Sequence, residues 1–465
     1  MHRTVTSPIS ELHAESAAEA GRKHIAIVGA GAAGLAAAWS LARTHRVTLV
    51  EADDRLGGHA NTEILDSHEG LAIDTGFIVY NEPCYPNFTR WMQALGVRTQ
   101  ASDMSFAVSR DNGSFEYAGG PALGLIAQPG LLLRPRFWRM LRDLVRFYRE
   151  APGSIPAEAD ITLGQYLARH GYSREFMEDH LMPFAAAVWS APCDSMLGYP
   201  AAAFIRFCDN HGLLKLTGRP QWRTVSGGSQ TYVKAVRSFV SNNGGEIRTG
   251  FPVASVVRNP DGVVVRSSGG DVLEADAVVM AMHADQALAC LDAPDPLEQE
   301  LLDVFSYEPN LAVLHTDTSH LPRRRRAWCS WNYVERDGTD TSQVSVSYWM
   351  NRLQNLQGEH DFIVSLNPDQ MPSDQHVLRT SRYQHPVFTV ETWRAQQRLW
   401  ELQGRQRTYY CGSYFGAGFH EDAVQAGLAA ADAAGAHARP WQLDNPSSRI
   451  VVSAGNHSSQ TVQAA

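Results

Sequence analysis

Near its N-terminus the chain carries a short apolar segment that leads directly into a glycine-rich loop. Residues 24–28 are predicted to form a buried strand, residues 35–44 a helix, and residues 47–50 a second strand that ends at Glu51. The loop after the first strand has the spacing G-x-G-x-x-G and consists of Gly29, Ala30, Gly31, Ala32, Ala33 and Gly34. This order of strand, loop, helix, strand and acid is typical of nucleotide-binding α/β folds. We therefore expect an α/β domain with a parallel sheet.

Each part of this unit has a physical role in holding a dinucleotide. Gly29 allows a tight turn, Gly31 lets a pyrophosphate approach the backbone, and Gly34 lets the helix lie close to the sheet. The N-terminus of the helix offers unpaired N–H groups and a positive dipole end to the phosphates. Glu51 lies about twenty residues beyond the loop, where it can accept hydrogen bonds from ribose hydroxyls. The predicted ligand is a dinucleotide.

Length and composition narrow the class of protein. The 465 residues are enough for two intertwined domains, and the 44% hydrophobic and 19% charged content is ordinary for a globular chain. A net charge of −9 argues against nucleic acid as a partner, because phosphate binding needs a basic surface. The six cysteines have no spacing typical of a zinc site, so we expect reduced buried thiols and no metal. The expected partner is a small-molecule or lipid substrate.

The first residues predict neither a secretory signal nor a membrane anchor. Residues 1–22 are polar, without the apolar core that a signal peptide needs, and are expected to be a disordered lead-in. No apolar run approaches the roughly 20 residues that span a bilayer. The expected location is cytoplasmic, with peripheral contact to the inner face of the membrane as an open alternative.

The residues that follow Glu51 help to choose between nicotinamide and flavin. An R-x-G-G-H loop follows it, and a D-T-G-F segment begins at Asp74. Both segments resemble those of the amine-oxidase and phytoene-desaturase superfamily, which binds FAD, although His59 stands where arginine is usual and Phe77 where a second glycine is common. The contacts that this resemblance implies are Arg55, Gly57, Gly58, His59, Thr75, Gly76, Phe77 and Ile78. Only one loop of the dinucleotide type is present, so no separate NAD(P)H domain is predicted.

The far end of the chain carries an independent match to the same superfamily. Residues 409–412 are predicted to form a last buried strand, and residues 416–427 resemble the closing segment in which the N-terminus of a helix points at the flavin. That dipole end would stabilise negative charge on the reduced flavin. Small residues, among them Gly427, are expected to let this helix pack closely against the sheet. The further contacts implied are Val253, Gly412, His420, Glu421, Asp422, Ala423 and Val424.

The resemblance implies an amine-oxidase-like flavoprotein of two domains, with a Rossmann-like FAD-binding domain and an inserted α+β substrate domain. The predicted organisation is a lead-in at 1–22, an FAD-binding domain at 23–80, 222–300 and 405–440, a substrate domain at 81–221 and 301–404, and a flexible tail at 441–465.

A narrower resemblance adds a hint about the substrate. Residues 56–60, 74–81, 85–87, 103–109 and 412–422 are similar to bacterial predicted NAD/FAD-binding proteins and to the flavoprotein-like N-terminal region of plant cyclopropane-fatty-acid synthases. It implies an FAD-dependent oxidoreductase that dehydrogenates or desaturates a hydrophobic substrate such as a modified fatty acyl chain. A flavin amine oxidase and a non-catalytic flavin-bound accessory protein for lipid modification remain alternatives.

The substrate domain offers candidates for a pocket and for a membrane contact. Residues 134–149 can form a helix with arginines on one side and apolar residues on the other, which would suit either an anionic membrane or packing on the core. The chain shows no Ser-His-Asp order and no paired carboxylates, so no catalytic residue is predicted. The candidate pocket residues are 183–190, Tyr80, Trp189, His283, Trp328, Trp331, Tyr348, Trp349 and Tyr414.

Overall fold

A computed structural model of the protein describes residues 22–119, 127–154, 161–189, 196–336 and 345–452. The strands of this part, in chain order, are β1 His24–Val28, β2 Arg46–Val50, β3 Thr62–Leu65, β4 Leu71–Asp74, β5 Val79–Asn81, β6 Thr99–Ser102, β7 Phe106–Arg110, β8 Phe115–Gly119, β9 Trp222–Val225, β10 Glu246–Arg248, β11 Val253–Arg258, β12 Val263–Ser267, β13 Val272–Ala275, β14 Ala277–Met280, β15 Ser306–His315, β16 Trp331–Val334, β17 Val346–Trp349, β18 Ile363–Leu366, β19 Val377–Val387 and β20 Thr408–Tyr410.

The helices of the same part complete the framework. In chain order they are α1 Ala32–Leu41, α2 Pro86–Ala94, α3 Pro135–Ser154, α4 Leu163–Arg169, α5 Arg174–Phe176, α6 Met182–Trp189, α7 Ala201–Asn210, α8 Gln230–Asn242, α9 Ala284–Cys290, α10 Pro296–Leu302, α11 Met350–Leu353, α12 Val390–Gln396 and α13 His420–Ala433. A π-helical segment, Met177–Leu181, joins α5 to α6.

A five-stranded parallel sheet in the order β10-β2-β1-β14-β20 forms the centre of the nucleotide-binding part. Every residue of β1 and of β14 is buried, and helix α1 packs against β1 and β2. The predicted first strand is confirmed at both ends, and the predicted α/β fold class is confirmed. All five strands lie within the ranges predicted for the FAD-binding domain.

A second layer is a seven-stranded mixed sheet in the order β19-β15-β18-β17-β16-β7-β8. Its strands lie within the ranges 81–221 and 301–404, which were predicted to form the substrate domain. Helices α3, α6 and α7 contribute side chains to a hydrophobic core that this sheet shares. The described residues therefore form two large hydrophobic cores, one at each sheet, and two small clusters besides.

Helix α13 packs against helix α1, and a glycine sets the distance between them. A Cβ atom at Gly427 would lie 2.1 Å from the carbonyl oxygen of Ala33. We expected the small residues of this helix to allow close packing on the sheet, whereas Gly427 meets the backbone of α1. Helix α1 lies alongside the sheet, and the face of α13 that carries Gly427 therefore packs on α1.

Helix α3 buries its apolar stripe instead of presenting it to solvent. Phe137, Met140 and Phe147 are buried in the substrate-domain core, as the packing alternative predicts. Leu132, Leu133 and Trp138, at 39%, 87% and 54% exposure, are the large apolar side chains that this region leaves open to solvent in the described residues. Membrane contact stays a prediction. Within the described ranges no helix is long and apolar enough to cross a bilayer.

The segment expected to be a flexible tail is partly packed. Trp441 stacks on Trp39 with ring centroids 5.3 Å apart, Ile450 is buried, and Arg449 forms an ion pair with Asp422 at 2.5 Å. The segment 441–452 therefore packs in part on α1 and α13, through Trp441 and Arg449, and buries Ile450. Residues 453–465 and 1–21 lie outside the described residues.

The expectation of buried thiols holds for the cysteines that the structure describes. Cys193 lies outside the described residues. The free and buried cysteines are Cys84, Cys208, Cys290, Cys329 and Cys411.

We predict that Gly427→Ala destabilises the protein by about 1–3 kcal/mol, because the added methyl group must push α13 away from α1. Gly153→Ala is the matched control, since no atom lies within 4 Å of a Cβ at this exposed helical position. Urea unfolding of both variants measures the effect. Equal unfolding midpoints for Gly427→Ala and the wild type would contradict the packing argument.

Candidate functional site

A cavity of about 430 Å³ opens at the carboxyl ends of the parallel strands. Val28 and Val50 end β1 and β2 at this edge, Met282 follows β14, and Gly412 follows β20; all four line the cavity. Parallel α/β sheets bind their ligands at this edge, and the volume is typical of a ligand site. The other wall comes from the seven-stranded sheet and from α7.

The glycine-rich loop forms one end of the cavity. Gly29 has φ +98°, a left-handed conformation that favours glycine, and a Cβ there would lie 2.8 Å from the carbonyl oxygen of Ala281. No atom lies within 4 Å of a Cβ at Gly31. The Glu51 carboxylate accepts hydrogen bonds from the backbone N–H groups of Ala30 at 2.6 Å and Asp53 at 3.1 Å. These hydrogen bonds fix the Glu51 carboxylate beside the loop, and the loop leaves open space at Gly31.

The second glycine loop packs against the first. The Gly57 N–H donates to the Ala30 carbonyl at 2.9 Å, and a Cβ at Gly58 would lie 3.2 Å from the Cα of Gly31. Arg55 begins this loop, and its Nη1 is buried with no hydrogen-bond partner among the residues that the structure describes. An arginine in this state suits a phosphate group. The two loops therefore fit the diphosphate of a dinucleotide.

Four neutral imidazoles surround the middle of the cavity. Burial lowers the pKa of His385 to about 4 and that of His59 well below its usual value, and neighbouring histidines add to both effects. Burial also lowers the pKa of His283 and brings that of His420 to about 3. The rings of His59 and His385 lie 5.3 Å apart. The site at neutral pH therefore holds uncharged donors and acceptors in place of cations.

Phe77 and His420 form a stacked pair where α13 begins. Their ring centroids lie 3.7 Å apart with an interplanar angle of 6°, and the His420 Nε2 lies 2.8 Å from the Tyr232 hydroxyl oxygen. The phenylalanine that stands where the superfamily often has glycine is therefore the stacking partner of the first residue of α13. This pair joins the D-T-G-F segment to the closing segment.

Some side chains of the closing segment line the cavity, and others are buried in the core. His420 and Ala423 line the cavity, one helical turn apart. Glu421 accepts hydrogen bonds from the N–H groups of Asn87 and Phe88 at 3.0 and 2.9 Å, and so caps the start of α2. Asp422 accepts from the Phe419 N–H at 2.8 Å, and Val424 is fully buried in the core.

Most of the cofactor contacts predicted from the sequence lie on this one cavity. Ala30, Gly34, Arg55, Glu421, Asp422 and Val424 are not on its wall. Those that line it are Gly29, Gly31, Ala32, Ala33, Glu51, Gly57, Gly58, His59, Thr75, Gly76, Phe77, Ile78, Val253, Gly412, His420 and Ala423.

The other end of the cavity is apolar and aromatic. Trp189, Trp331 and Tyr348 lie there as predicted, whereas Tyr80, Trp328 and Trp349 do not line it. His283 and Tyr414 line the cavity as well. The residues at the apolar end that we did not predict are Tyr85, Met104, Phe207, Leu213, Trp222, Leu366, Phe388 and Phe419. Apolar periodicity indicates that such residues are buried, but it does not distinguish a cavity wall from a packed core.

His211 is the titratable group nearest the aromatic rings of this end. Its Nδ1 lies 2.8 Å from the Phe207 carbonyl oxygen, which can only accept, so Nδ1 carries the proton. Its Nε2 then accepts from Arg449 at 3.1 Å. Burial and the nearby Arg449 hold its pKa well below the usual value. Among the cavity-lining residues in the described ranges, Glu51 at the glycine-loop end is the single carboxylate.

The described residues fit FAD. Gly31 faces open space, and Glu51 and the start of α13 line the same cavity. The glycine loops would hold the diphosphate, Glu51 the ribose, and the segments around Phe77 and His420 the ring system. When bound, FAD supplies an acceptor for two electrons from an organic substrate.

Comparisons with known proteins agree with this fit. The family described as flavin containing amine oxidoreductase matches residues 32–434. The L-amino-acid oxidase of Bungarus fasciatus is 54% identical over 55 residues, 12% of this chain and 10% of that protein. Human protoporphyrinogen oxidase is 24% identical over 334 residues, 64% of this chain and 68% of that protein. The chain thus spans between a tenth and about two thirds of these relatives.

Solved structures show the same fold. Cyclohexylamine oxidase from Brevibacterium oxydans IH-35A superposes with a TM-score of 0.63 at 16% identity and covers 89% of this chain and 98% of its own. The fatty acid isomerase from P. acnes that produces CLA superposes with a TM-score of 0.62 at 18% identity and covers 88% of this chain and 97% of its own.

We predict that Gly31→Val lowers FAD affinity by at least about tenfold, because the side chain would point into the space that the diphosphate needs. The unfolding midpoint of the FAD-free protein should stay close to that of the wild type, since no atom contacts a Cβ there. Titration with FAD, followed by flavin fluorescence, measures the affinity. Undiminished FAD binding by a folded variant would contradict this placement of the diphosphate.

We predict that His420→Gln weakens the acid sensitivity of the protein. The unfolded chain binds a proton at the ordinary histidine pKa of 6.5, whereas burial lowers the folded pKa of His420 to about 3. The stability tied to this neutral ring is complete above pH 6.5 and is lost as the pH falls toward 3. At pH 5 the loss is about 2 kcal/mol.

Urea unfolding at pH 7.5 and pH 5 tests this directly. The wild type should lose about 2 kcal/mol more than His420→Gln between the two pH values. His437→Gln, at an exposed position, is the matched control and should behave as the wild type does. An identical loss in the wild type and His420→Gln would show that His420 does not contribute.

Proposed function

This chain belongs to the flavin-containing amine oxidoreductase family and is an FAD-dependent oxidoreductase, and we propose that it dehydrogenates or desaturates a hydrophobic substrate such as a modified fatty acyl chain. The single observation that carries the proposal is that one end of the 430 Å³ cavity, called the main cavity from here on, has an apolar and aromatic wall. Tryptophan, phenylalanine, leucine and valine side chains make up most of that wall. Such a wall favours a long apolar group over a charged one.

The electrostatics of the wall support a substrate without positive charge. An ammonium group loses several kcal/mol of hydration when it enters an apolar site, unless a carboxylate or a similar partner compensates it. The one carboxylate in the described lining, Glu51, belongs to the glycine-loop end. Arg449 lies behind His211, at a hydrogen-bond distance of 3.1 Å, but Asp422 neutralises it in an ion pair at 2.5 Å, so this pair adds no net charge beside the aromatic end. A substrate ammonium group therefore gains little electrostatic stabilisation at the aromatic end.

Two resemblances support a fatty acyl substrate. The motifs of the glycine loops and the closing segment resemble the flavoprotein-like region of plant cyclopropane-fatty-acid synthases. The fold is also that of a fatty acid isomerase, which acts on its substrate within the same architecture. The likeness at 18% identity concerns the fold alone, so the cavity wall remains the main support.

The chain's own groups would act by position and by exclusion of water. The rings of Trp189, Phe207 and Phe419 pack edge to face and stacked within 4.2–5.9 Å of one another, which restricts the shape of the chamber. A restricted apolar chamber fixes one segment of an acyl chain beside the starts of α13 and of the D-T-G-F segment. The neutral imidazoles there leave no net charge to attract water.

We predict that, without oxygen, oleic acid or its methyl ester bleaches the visible absorbance of the bound flavin at least about tenfold faster than oleylamine does. The three probes share one hydrocarbon chain, and methyl oleate is uncharged, so the comparison of ester with amine isolates the desolvation cost of the ammonium group. Stopped-flow absorbance of the FAD-loaded protein gives the rates. A methyl-branched fatty acid and protoporphyrinogen serve as further probes.

Two outcomes would overturn the proposal. Rapid bleaching by oleylamine, without bleaching by the acyl probes, would assign the protein to the amine oxidases. Bleaching by protoporphyrinogen alone would assign it the substrate named for its human relative. Bleaching by the methyl-branched acid with none by oleic acid supports the proposal and narrows the substrate.

A further inference from the structure

A second, smaller cavity of about 160 Å³ adjoins the main cavity. The two share four lining residues: Phe207, His211, Phe388 and Ala417. Phe207 and Phe388 are buried, at 5% and 8% exposure, and form the aromatic part of this shared wall. The smaller cavity therefore lies next to the apolar end of the main cavity.

One face of helix α7 lines the smaller cavity. Ala203, Arg206, Phe207 and Asn210 all lie on it, and their spacing of three, four and seven residues places them on one side of a helix. Phe207 turns inward to the shared wall, while Arg206 is exposed to solvent. A single helix thus presents a cation at the mouth and an aromatic ring at the inner end.

The charges that line the smaller cavity sum to one positive charge. Asp422 and Arg449 both line it, but they neutralise each other in an ion pair at 2.5 Å. Arg206 has no carboxylate partner and no side-chain hydrogen bond within the part of the chain described here. Its guanidinium lies over the ring of Trp393, 5.4 Å from the centroid, which orients the side chain without using its donors.

We propose that Arg206 binds the carboxylate of a free fatty acid whose hydrocarbon chain passes Phe207 and Phe388 into the main cavity. The inference rests on the proposed acyl substrate and specifies its head group. A guanidinium can donate two parallel hydrogen bonds to one carboxylate, and its donors are free here. A cation at the mouth of a chamber with an apolar far end matches an amphiphile with an anionic head. The side chains of Asn210 and Gln397 at the same cavity can add neutral donors.

The test compares Arg206→Gln with Arg237→Gln, a matched substitution at an exposed arginine on helix α8. Equilibrium dialysis of the FAD-loaded proteins against oleic acid and methyl oleate measures two dissociation constants for each. The wild type should prefer the acid by about tenfold, because a hydrogen bond to a charged group contributes that much. Arg206→Gln should lose this preference by binding the acid about tenfold more weakly, with methyl oleate unchanged.

The two proposals fail in different ways. Equal affinities for acid and ester in the wild type, or a preference for the acid that survives in Arg206→Gln, would overturn the role of Arg206 and leave the apolar chamber intact. Equal weakening of acid and ester in Arg206→Gln would show that the residue supports the wall instead of the head group, which also overturns the inference. Binding of neither probe by the wild type would overturn the proposed acyl substrate itself.

Discussion

The site depends on the contact between helices α1 and α13. Gly427 lies so close to Ala33 that any side chain there would enter the backbone of α1. This contact joins segments almost four hundred residues apart and brings the start of each helix to the same edge of the parallel sheet. The first glycine loop, Phe77 and His420 then line the same cavity. Without this approach the two ends of the chain would form two half-sites.

The polarity of the site follows from this geometry. The backbone of the glycine loops and the Glu51 carboxylate line the glycine-loop end, where a dinucleotide needs hydrogen bonds. Toward the seven-stranded sheet the wall becomes aromatic, and burial holds the nearby imidazoles uncharged by lowering their pKa values. Among the described residues that line the adjoining cavity, Arg206 adds one positive charge that is not paired with a carboxylate. The cofactor and the substrate thus meet opposite ends of one continuous space, and each end suits a different chemistry.

The sequence predicts the local units well, since these depend on short-range physics. The first two strands and the glycine loop lie where apolar runs and glycines place them, and the closing helix begins within the predicted segment. The sequence did not predict which side of this helix faces the cavity. His420 and Ala423 line it, whereas Glu421 caps α2 and Asp422 pairs with Arg449. The side of α13 that faces the cavity depends on the positions of α2 and of residues 441–452, which contact its other sides.

The substrate chamber could not be derived from the sequence for the same reason. Phe207, Phe388 and Phe419 come from three separate segments, and each reads as an ordinary core residue. The residues of helix α3 show the converse, because an apolar stripe that could have met a membrane packs on the core instead. In both cases tertiary contacts decide what an apolar face touches, and a single sequence does not contain those contacts.

The central claim is that the two ends of the chain together hold one FAD. The most direct measurement is the amount of flavin that heat releases from purified protein, determined from its absorbance and compared with the protein concentration. The account predicts yellow protein that releases one FAD per chain. Colourless, folded protein that takes up no added FAD would contradict it.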